Sequence, residues 1–143
     1  MLAPRILIVD DEERFRVTLG KRLTEREFDV TTVGSGQEAL EEIKRKLYDV
    51  IILDVKMPGL DGIETLSRIK ALNPGIEVIL LTGHSSVDTA VKGLRIGAYD
   101  YLLKPYELET LLEKINGAYN LKAARDHRIR QAEIRSLIDR KPS

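Results

Sequence analysis

Apolar residues are distributed along this chain in two alternating patterns. Five short runs rich in β-branched and aliphatic residues, Arg5–Val9, Phe28–Val33, Val50–Leu53, Ile76–Leu81 and Asp100–Leu103, each predict a strand. The first, third and fourth are almost continuously apolar, as expected of strands covered by helices on both faces of a parallel sheet. Between the runs, apolar residues recur at helical spacing: Phe15, Leu19 and Leu23; Ala39, Leu40, Ile43 and Leu47; Ile63, Leu66 and Ile69; Leu108, Leu111, Leu112 and Ile115. The segment Ser86–Leu94 has the weakest helical pattern, with Val87, Ala90, Val91 and Leu94 as its apolar positions.

Local signals divide the chain at the same places. Ser35 with Glu38, Asp61 with Glu64 and Ser85 with Asp88 have capping-box spacing ahead of helical patterns. Gly34-Ser35-Gly36, Pro58-Gly59, Asn73-Pro74-Gly75 and Lys104-Pro105 punctuate the exchanges between helix and strand. Strand and helix therefore alternate five times. Strict alternation with short connections predicts right-handed crossovers and a doubly wound α/β fold with a five-stranded parallel sheet.

Composition narrows the class of protein. With 143 residues, 43% of them apolar and 32% charged, the chain suits one compact domain with a short appendage. It has no cysteine, which removes disulfides, thiolate metal sites and cysteine catalysis. No secretory signal pattern or membrane-spanning run is expected, and a cytoplasmic location fits. The formal net charge is zero but unevenly spread. Residues 121–143 hold seven basic residues against three acidic ones, a net +4 that leaves −4 for residues 1–120. Domain limits are therefore drawn at 1–120 for a globular, acidic body and 121–143 for a basic extension or linker, helical by composition. Asn116-Gly117 breaks, bends or merely weakens the last helix, and the apolar positions beyond it do not sustain a clean heptad.

The candidate chemistry lies where polar residues meet strand ends. Asp10 and Asp11 end strand one, Asp54 strand three, Thr82 strand four and Lys104 strand five. For the common order 2-1-3-4-5, ligands bind beyond the carboxyl edge between strands one and three, so three carboxylates are expected to meet there. Like charges so close favour protonation unless a cation intervenes. All-oxygen ligands point to the hard cation Mg²⁺. Asp54 is then the candidate nucleophile toward phosphorus, Lys104 the cation that screens the transferred group, Thr82 a hydroxyl donor and Gly83 an unobstructed backbone N–H. Singly, each residue has an ordinary explanation as a cap, turn or solvated charge; four complementary types at one sheet edge do not.

Four separated stretches resemble one family: Ile-Val-Asp-Asp-Glu at 8–12, Leu-Asp-Val-Lys-Met-Pro-Gly-Leu-Asp-Gly at 53–62, Leu-Thr-Gly at 81–83 and Tyr-Leu-Leu-Lys-Pro at 101–105. On these residues the chain resembles the receiver domains of two-component response regulators, over roughly residues 4–120. The stretch Thr-Gly-His-Ser-Ser-Val-Asp-Thr-Ala-Val is most similar to receivers of the nitrogen-regulation type. The resemblance implies a flavodoxin-like fold with Asp54 as phosphoacceptor. It also implies Mg²⁺ ligated by Asp11 and Asp54, by Asp10 through water, and by the backbone carbonyl of Lys56. Lys104 would contact the phosphoryl group and precede a cis Pro105. Thr82 and Tyr101 would form a switch pair, unless Tyr101 is a plain core aromatic, and Lys56 and His84 would influence hydrolysis of the acyl phosphate.

The implied partner is a sensor histidine kinase or phosphotransfer protein. A homodimer could form through helix 4, strand 5 and helix 5, or through the C-terminal extension. No direct nucleic-acid contact and no membrane contact are expected, because no helix-turn-helix or aromatic platform accompanies the basic tail. The protein would be a signalling switch that catalyses its own phosphorylation and dephosphorylation, not an enzyme acting on a separate substrate. Two alternatives stay open: a degenerate receiver serving as an interaction module, and a Mg²⁺-dependent aspartyl-phosphate phosphatase. The second lacks its expected Asp-x-Asp-x-Thr after strand one, where Asp10-Asp11-Glu12-Glu13 stands instead.

Overall fold

A computed structural model describes residues 3–56, 61–83 and 87–140. The elements, in order, are β1 (Arg5–Val9), α1 (Glu13–Glu25), β2 (Asp29–Val33), α2 (Gly36–Arg45), β3 (Val50–Asp54), α3 (Gly62–Leu72), β4 (Glu77–Thr82), α4 (Val87–Ile96), β5 (Asp100–Leu103) and α5 (Leu108–Asp139). All strand pairs are parallel, in the order β2-β1-β3-β4-β5. The expected doubly wound sheet and its strand order are both present.

The two faces of the sheet carry separate cores, because side chains alternate along each strand. On one face, Leu7, Val9, Ile51, Leu53, Val78 and Leu80 pack with Ala39 and Leu40 of α2 and Leu66 and Ile69 of α3. On the other, Ile6, Ile8, Val50, Ile52, Ile79 and Leu81 pack with Leu19 and Leu23 of α1 and Leu111, Leu112 and Ile115 of α5. This explains the continuous apolar runs in β1, β3 and β4: every position faces a helix layer.

Helix starts follow the expected caps. The Ser35 hydroxyl accepts from Glu38 N–H at 3.1 Å while Glu38 Oε2 accepts from Gly34 N–H at 3.3 Å, a capping box shifted by one residue on its return bond. The Asp61 carboxylate accepts from Glu64 N–H at 2.8 Å. The Pro58-Gly59 break and the Ser85–Asp88 pair involve residues outside those described.

Some expectations need correction. Leu47 does not continue the apolar face of α2, because the helix stops at Arg45 and Leu47 is 64% exposed. In α4 the buried residues are Ala90 and Gly93, whereas Val87, Val91 and Leu94 lie in solvent. A Cβ on Gly93 would strike Leu80, so α4 approaches β4 through its smallest residue and turns Val87, Val91 and Leu94 outward. Asn116-Gly117 neither breaks nor ends α5, which runs continuously to Asp139. Gly117 instead makes room for the Tyr99 hydroxyl, which a Cβ would overlap.

Candidate functional site

Beyond the carboxyl ends of β1 and β3, the carboxylates of Asp10, Asp11 and Asp54 come together, with one oxygen from each lying within 4.8 Å of the others. Asp10 and Asp11 follow β1, and Asp54 is the last residue of β3. Because the two strands are neighbours in register, with Val9 opposite Leu53, the acids emerge side by side. Asp10 and Asp54 are buried and Asp11 is exposed.

Backbone donors shape each acid. Asp10 Oδ1 accepts from Glu12 N–H at 2.9 Å, and Asp54 Oδ1 accepts from Lys56 N–H at 3.3 Å. Asp10 Oδ2 is buried and accepts no hydrogen bond from any described residue. Burial pushes the Asp10 carboxyl up to about 6, with the charges of Asp54 and Asp11 adding to the rise and the Glu12 N–H and Lys104 opposing it. Burial also raises Asp54, against the opposing pull of Lys104 and the Lys56 N–H. A buried acceptor without a donor is costly. Three oxygen ligands with such an orphan fit a divalent hard cation, and Mg²⁺ suits their chemistry.

Lys104 is the cation already in place. Its Nζ stands 3.6 Å from Asp54 Oδ1 and 3.8 Å from Asp10 Oδ2. The Lys104 N–H donates to the Thr82 carbonyl at 2.8 Å, which ties the ends of β4 and β5 together, and the Lys104–Pro105 peptide is cis. Thr82 is 1% exposed, and its hydroxyl donates to the Gly83 carbonyl at 3.1 Å. A Cβ on Gly83 would meet no atom of the described residues within 4 Å. Tyr101 is half-buried and packs against the core shared with α2 and α3. The residues expected at the pocket are thus gathered at one sheet edge, except His84, which lies outside the described residues.

Three contributors carry no signal in residue type alone. Arg16 donates to the Asp10 carbonyl at 3.1 Å and the Asp11 carbonyl at 3.5 Å, strapping the acidic turn to α1. The Phe15 ring lies under Lys104, with Nζ 4.7 Å from its centroid. Gly62 is so close to the Asp54–Val55 backbone that a Cβ would come within 2.6 Å of Val55 Cα and 2.7 Å of the Asp54 carbonyl. Helical spacing marks Phe15 as core, and its neighbour across the fold is invisible in a linear pattern.

Comparison with known proteins bears on the family and the fold. The transcriptional regulatory protein ZraR of Escherichia coli K12 is 43% identical over 106 residues, covering 74% of this chain and 24% of ZraR. The DNA-binding transcriptional regulator NtrC of Klebsiella pneumoniae is 39% identical over 111 residues, covering 78% of this chain and 24% of NtrC. The chain thus spans about a quarter of the length of these curated relatives. Among solved structures, a response regulator receiver domain protein from Clostridium thermocellum superposes with a TM-score of 0.82 at 36% identity, covering 85% of this chain and 98% of that one. NtrX from Brucella abortus, in complex with ADP, gives 0.83 at 30% identity, covering 87% of this chain and 29% of NtrX. NtrC and NtrX among the matches agree with the nitrogen-regulation resemblance. The family model described as the response regulator receiver domain matches residues 6–116, and the chain belongs to that family.

Proposed function

We propose that this chain is a phosphorylation-activated switch whose Asp54 accepts a phosphoryl group from a phosphohistidine of a sensor histidine kinase or phosphotransfer protein. The observation that carries the reading is the convergence of Asp10, Asp11 and Asp54 within 4.8 Å, with Lys104 Nζ between Asp10 and Asp54 and one buried Asp10 oxygen lacking a donor. In the transfer, an Asp54 carboxylate oxygen bonds to phosphorus as the phosphorus–nitrogen bond breaks; the electron pair stays on the imidazole nitrogen, which takes up a proton.

Mg²⁺, held by Asp11, Asp54 and the Lys56 carbonyl and by Asp10 through water, would screen the negative charge of the transferred group. Lys104 supplies a second positive charge to the phosphoryl oxygens, while the Thr82 hydroxyl and Gly83 N–H offer hydrogen bonds. Lys56 and His84 flank the path of the water that later hydrolyses the acyl phosphate. The chain thus catalyses its own phosphorylation and dephosphorylation. Drawing Thr82 toward the dianion vacates space that Tyr101 fills, which shifts an existing equilibrium at the surface of α4, β5 and the first turns of α5. That surface, or the end of α5, is where a second copy would dock.

A cytoplasmic location follows from this partner, and no described helix is long and apolar enough to cross a membrane. The relatives are named transcriptional regulators, one of them DNA-binding, so the expectation of no nucleic-acid contact applies to these 143 residues and not to any output they serve.

The test is intact mass after incubation with phosphoramidate and Mg²⁺, for the native chain and for Asp54→Asn. One added phosphoryl group is expected in the native chain and none in the variant. Equal labelling of both would reject Asp54 as acceptor, and turnover of many equivalents of an organic phosphate would favour a phosphatase instead.

A further inference from the structure

Lys104 has two carboxylates within reach and bonds directly to neither. Its Nζ stands 3.6 Å from Asp54 and 3.8 Å from Asp10, both beyond hydrogen-bond range for an ammonium and a carboxylate. A lysine stem is flexible, and two carboxylates this near would ordinarily draw the ammonium into hydrogen-bonding contact with one of them. What stands on its other side is the face of Phe15, with Nζ 4.7 Å from the ring centroid. That is well inside the range in which the ring's negative face attracts a cation.

The ring is itself fixed. Phe15 lies in the first turn of α1, and Tyr106 meets it nearly perpendicularly, at 84° with centroids 6.4 Å apart. Tyr106 follows Lys104 and Pro105 in the chain, so one loop supplies both the lysine and the aromatic edge that steadies the platform beneath it. Phe15, Lys104, Pro105 and Tyr106, with Arg22, line one open groove beside the acidic cluster.

We propose that Phe15 is a positioning residue for the phosphoryl transfer described above: its ring face holds the Lys104 ammonium over the pocket without occupying any of its N–H donors. A carboxylate or carbonyl in that place would take up a donor that must be given back when the phosphoryl group arrives. The π face attracts through its quadrupole and leaves all three N–H groups available for phosphoryl oxygens. The inference rests on the transfer reading, because it concerns where Lys104 waits for that group.

The test changes the charge of the ring face while nearly preserving its shape. Phe15 is replaced by 4-fluoro-, 3,5-difluoro- and 3,4,5-trifluorophenylalanine in the full chain, and the rate of Asp54 phosphorylation by phosphoramidate at saturating Mg²⁺ is followed by intact mass. The rate should fall stepwise with fluorination, by roughly two- to fivefold at the trifluoro ring. In the Lys104→Ala background, the same series should be flat. In parallel, the Lys104 Cε protons should show a ring-current shift that Phe15→Leu removes.

Flat rates with Lys104 present, or an equal slope in the Lys104→Ala background, would overturn the proposal. Failure of the native chain to label, or equal labelling of Asp54→Asn, would instead remove the transfer reading, and the role of Phe15 with it.

Discussion

Arg125 donates to the Glu77 carboxylate at 2.8 Å, joining the middle of α5 to the first residue of β4. Glu77 is 4% exposed. Three residues earlier, Lys122 lies 3.4 Å from Asp49, a buried acid that also accepts from Arg5 N–H at 2.8 Å. Both cations fall beyond residue 120, where the charge asymmetry drew the limit of the body, and beyond the family match at 116. We propose that the folded unit extends to about 126. A chain ending at 120 leaves Asp49 and Glu77 buried with fewer cations, and loss of a buried partner is expensive. Arg125 is partly exposed and Lys70 also lies within electrostatic reach of Glu77, so the loss is partial. Ending at 120 should cost about 1–3 kcal/mol in urea unfolding relative to ending at 126. Equal midpoints for the two chains would restore the boundary at 120.

Two glycines of the pocket should respond oppositely to a methyl group. At Gly62 a Cβ would press on the backbone of Val55 and on the Asp54 carbonyl at 2.6–2.8 Å, and backbone cannot rotate away. Gly62→Ala must displace either the start of α3 or the segment carrying Asp54. A loss of about 1–3 kcal/mol, the usual range for overpacking, is expected together with weaker Mg²⁺ binding. Gly83→Ala meets no atom of the described residues and should leave the unfolding midpoint near that of the native chain. Thermal unfolding of both variants, with and without Mg²⁺, checks the pair; a Gly62→Ala protein as stable as native would contradict the close approach.

The difference between these glycines shows what a linear pattern conveys. The strands, the two helix layers and the polar residues at strand ends were legible because apolar period and strand ends are properties of contiguous residues; the strand order was taken as the common one, and with it the meeting of Asp10, Asp11 and Asp54 followed. Phe15 under Lys104, Arg16 on the acidic turn and Gly62 against Val55 were not, since each depends on a contact between separate elements. The α4 face was misjudged for a related reason. Val87, Val91 and Leu94 form a regular apolar stripe, yet the approach of Gly93 to Leu80 decided which side faces the sheet. Leu47 failed because one extended residue, Lys46, ended the helix first.

The acidic pocket should make the metal-free protein less stable as pH rises. Asp10 ionises near 6 when folded, against 3.8 for an ordinary aspartate, so between those values the native state keeps a proton that the unfolded chain has lost. Stability then falls with rising pH across this window, and the penalty is complete above it. Glu42 works in the opposite sense: its carboxyl is lowered, first by its hydrogen bond with Arg45, and its contribution is lost as pH falls through the acid range. Comparing native chain with Asp10→Asn cancels that background. Without Mg²⁺ the variant should be the more stable at about pH 8, with the gap closing toward pH 4. Saturating Mg²⁺ should close the gap at high pH by neutralising the cluster. A gap independent of both pH and Mg²⁺ would mean that Asp10 is not the titrating group.

Transmission away from the pocket is tested by separating phosphorylation from its consequence. Thr82 closes β4, and its carbonyl accepts from the Lys104 N–H, so pocket and β5 are mechanically joined there. Tyr101 lies on β5 opposite Leu80, packed toward the α2 and α3 core and away from the α1 and α5 face. In the proposed switch, a hydroxyl drawn toward a new dianion changes the space available to that ring, and a methyl group at the same place has nothing to be drawn by. Thr82→Ala should therefore still accept some phosphoryl group on Asp54 while losing the response on the surface of α4 and β5. Hydrogen exchange would read this as altered protection over 87–96 and 100–114 on phosphorylation of the native chain, and an unchanged pattern in the variant. The same change in both proteins would show that the signal bypasses Thr82, leaving Tyr101 as an ordinary core aromatic.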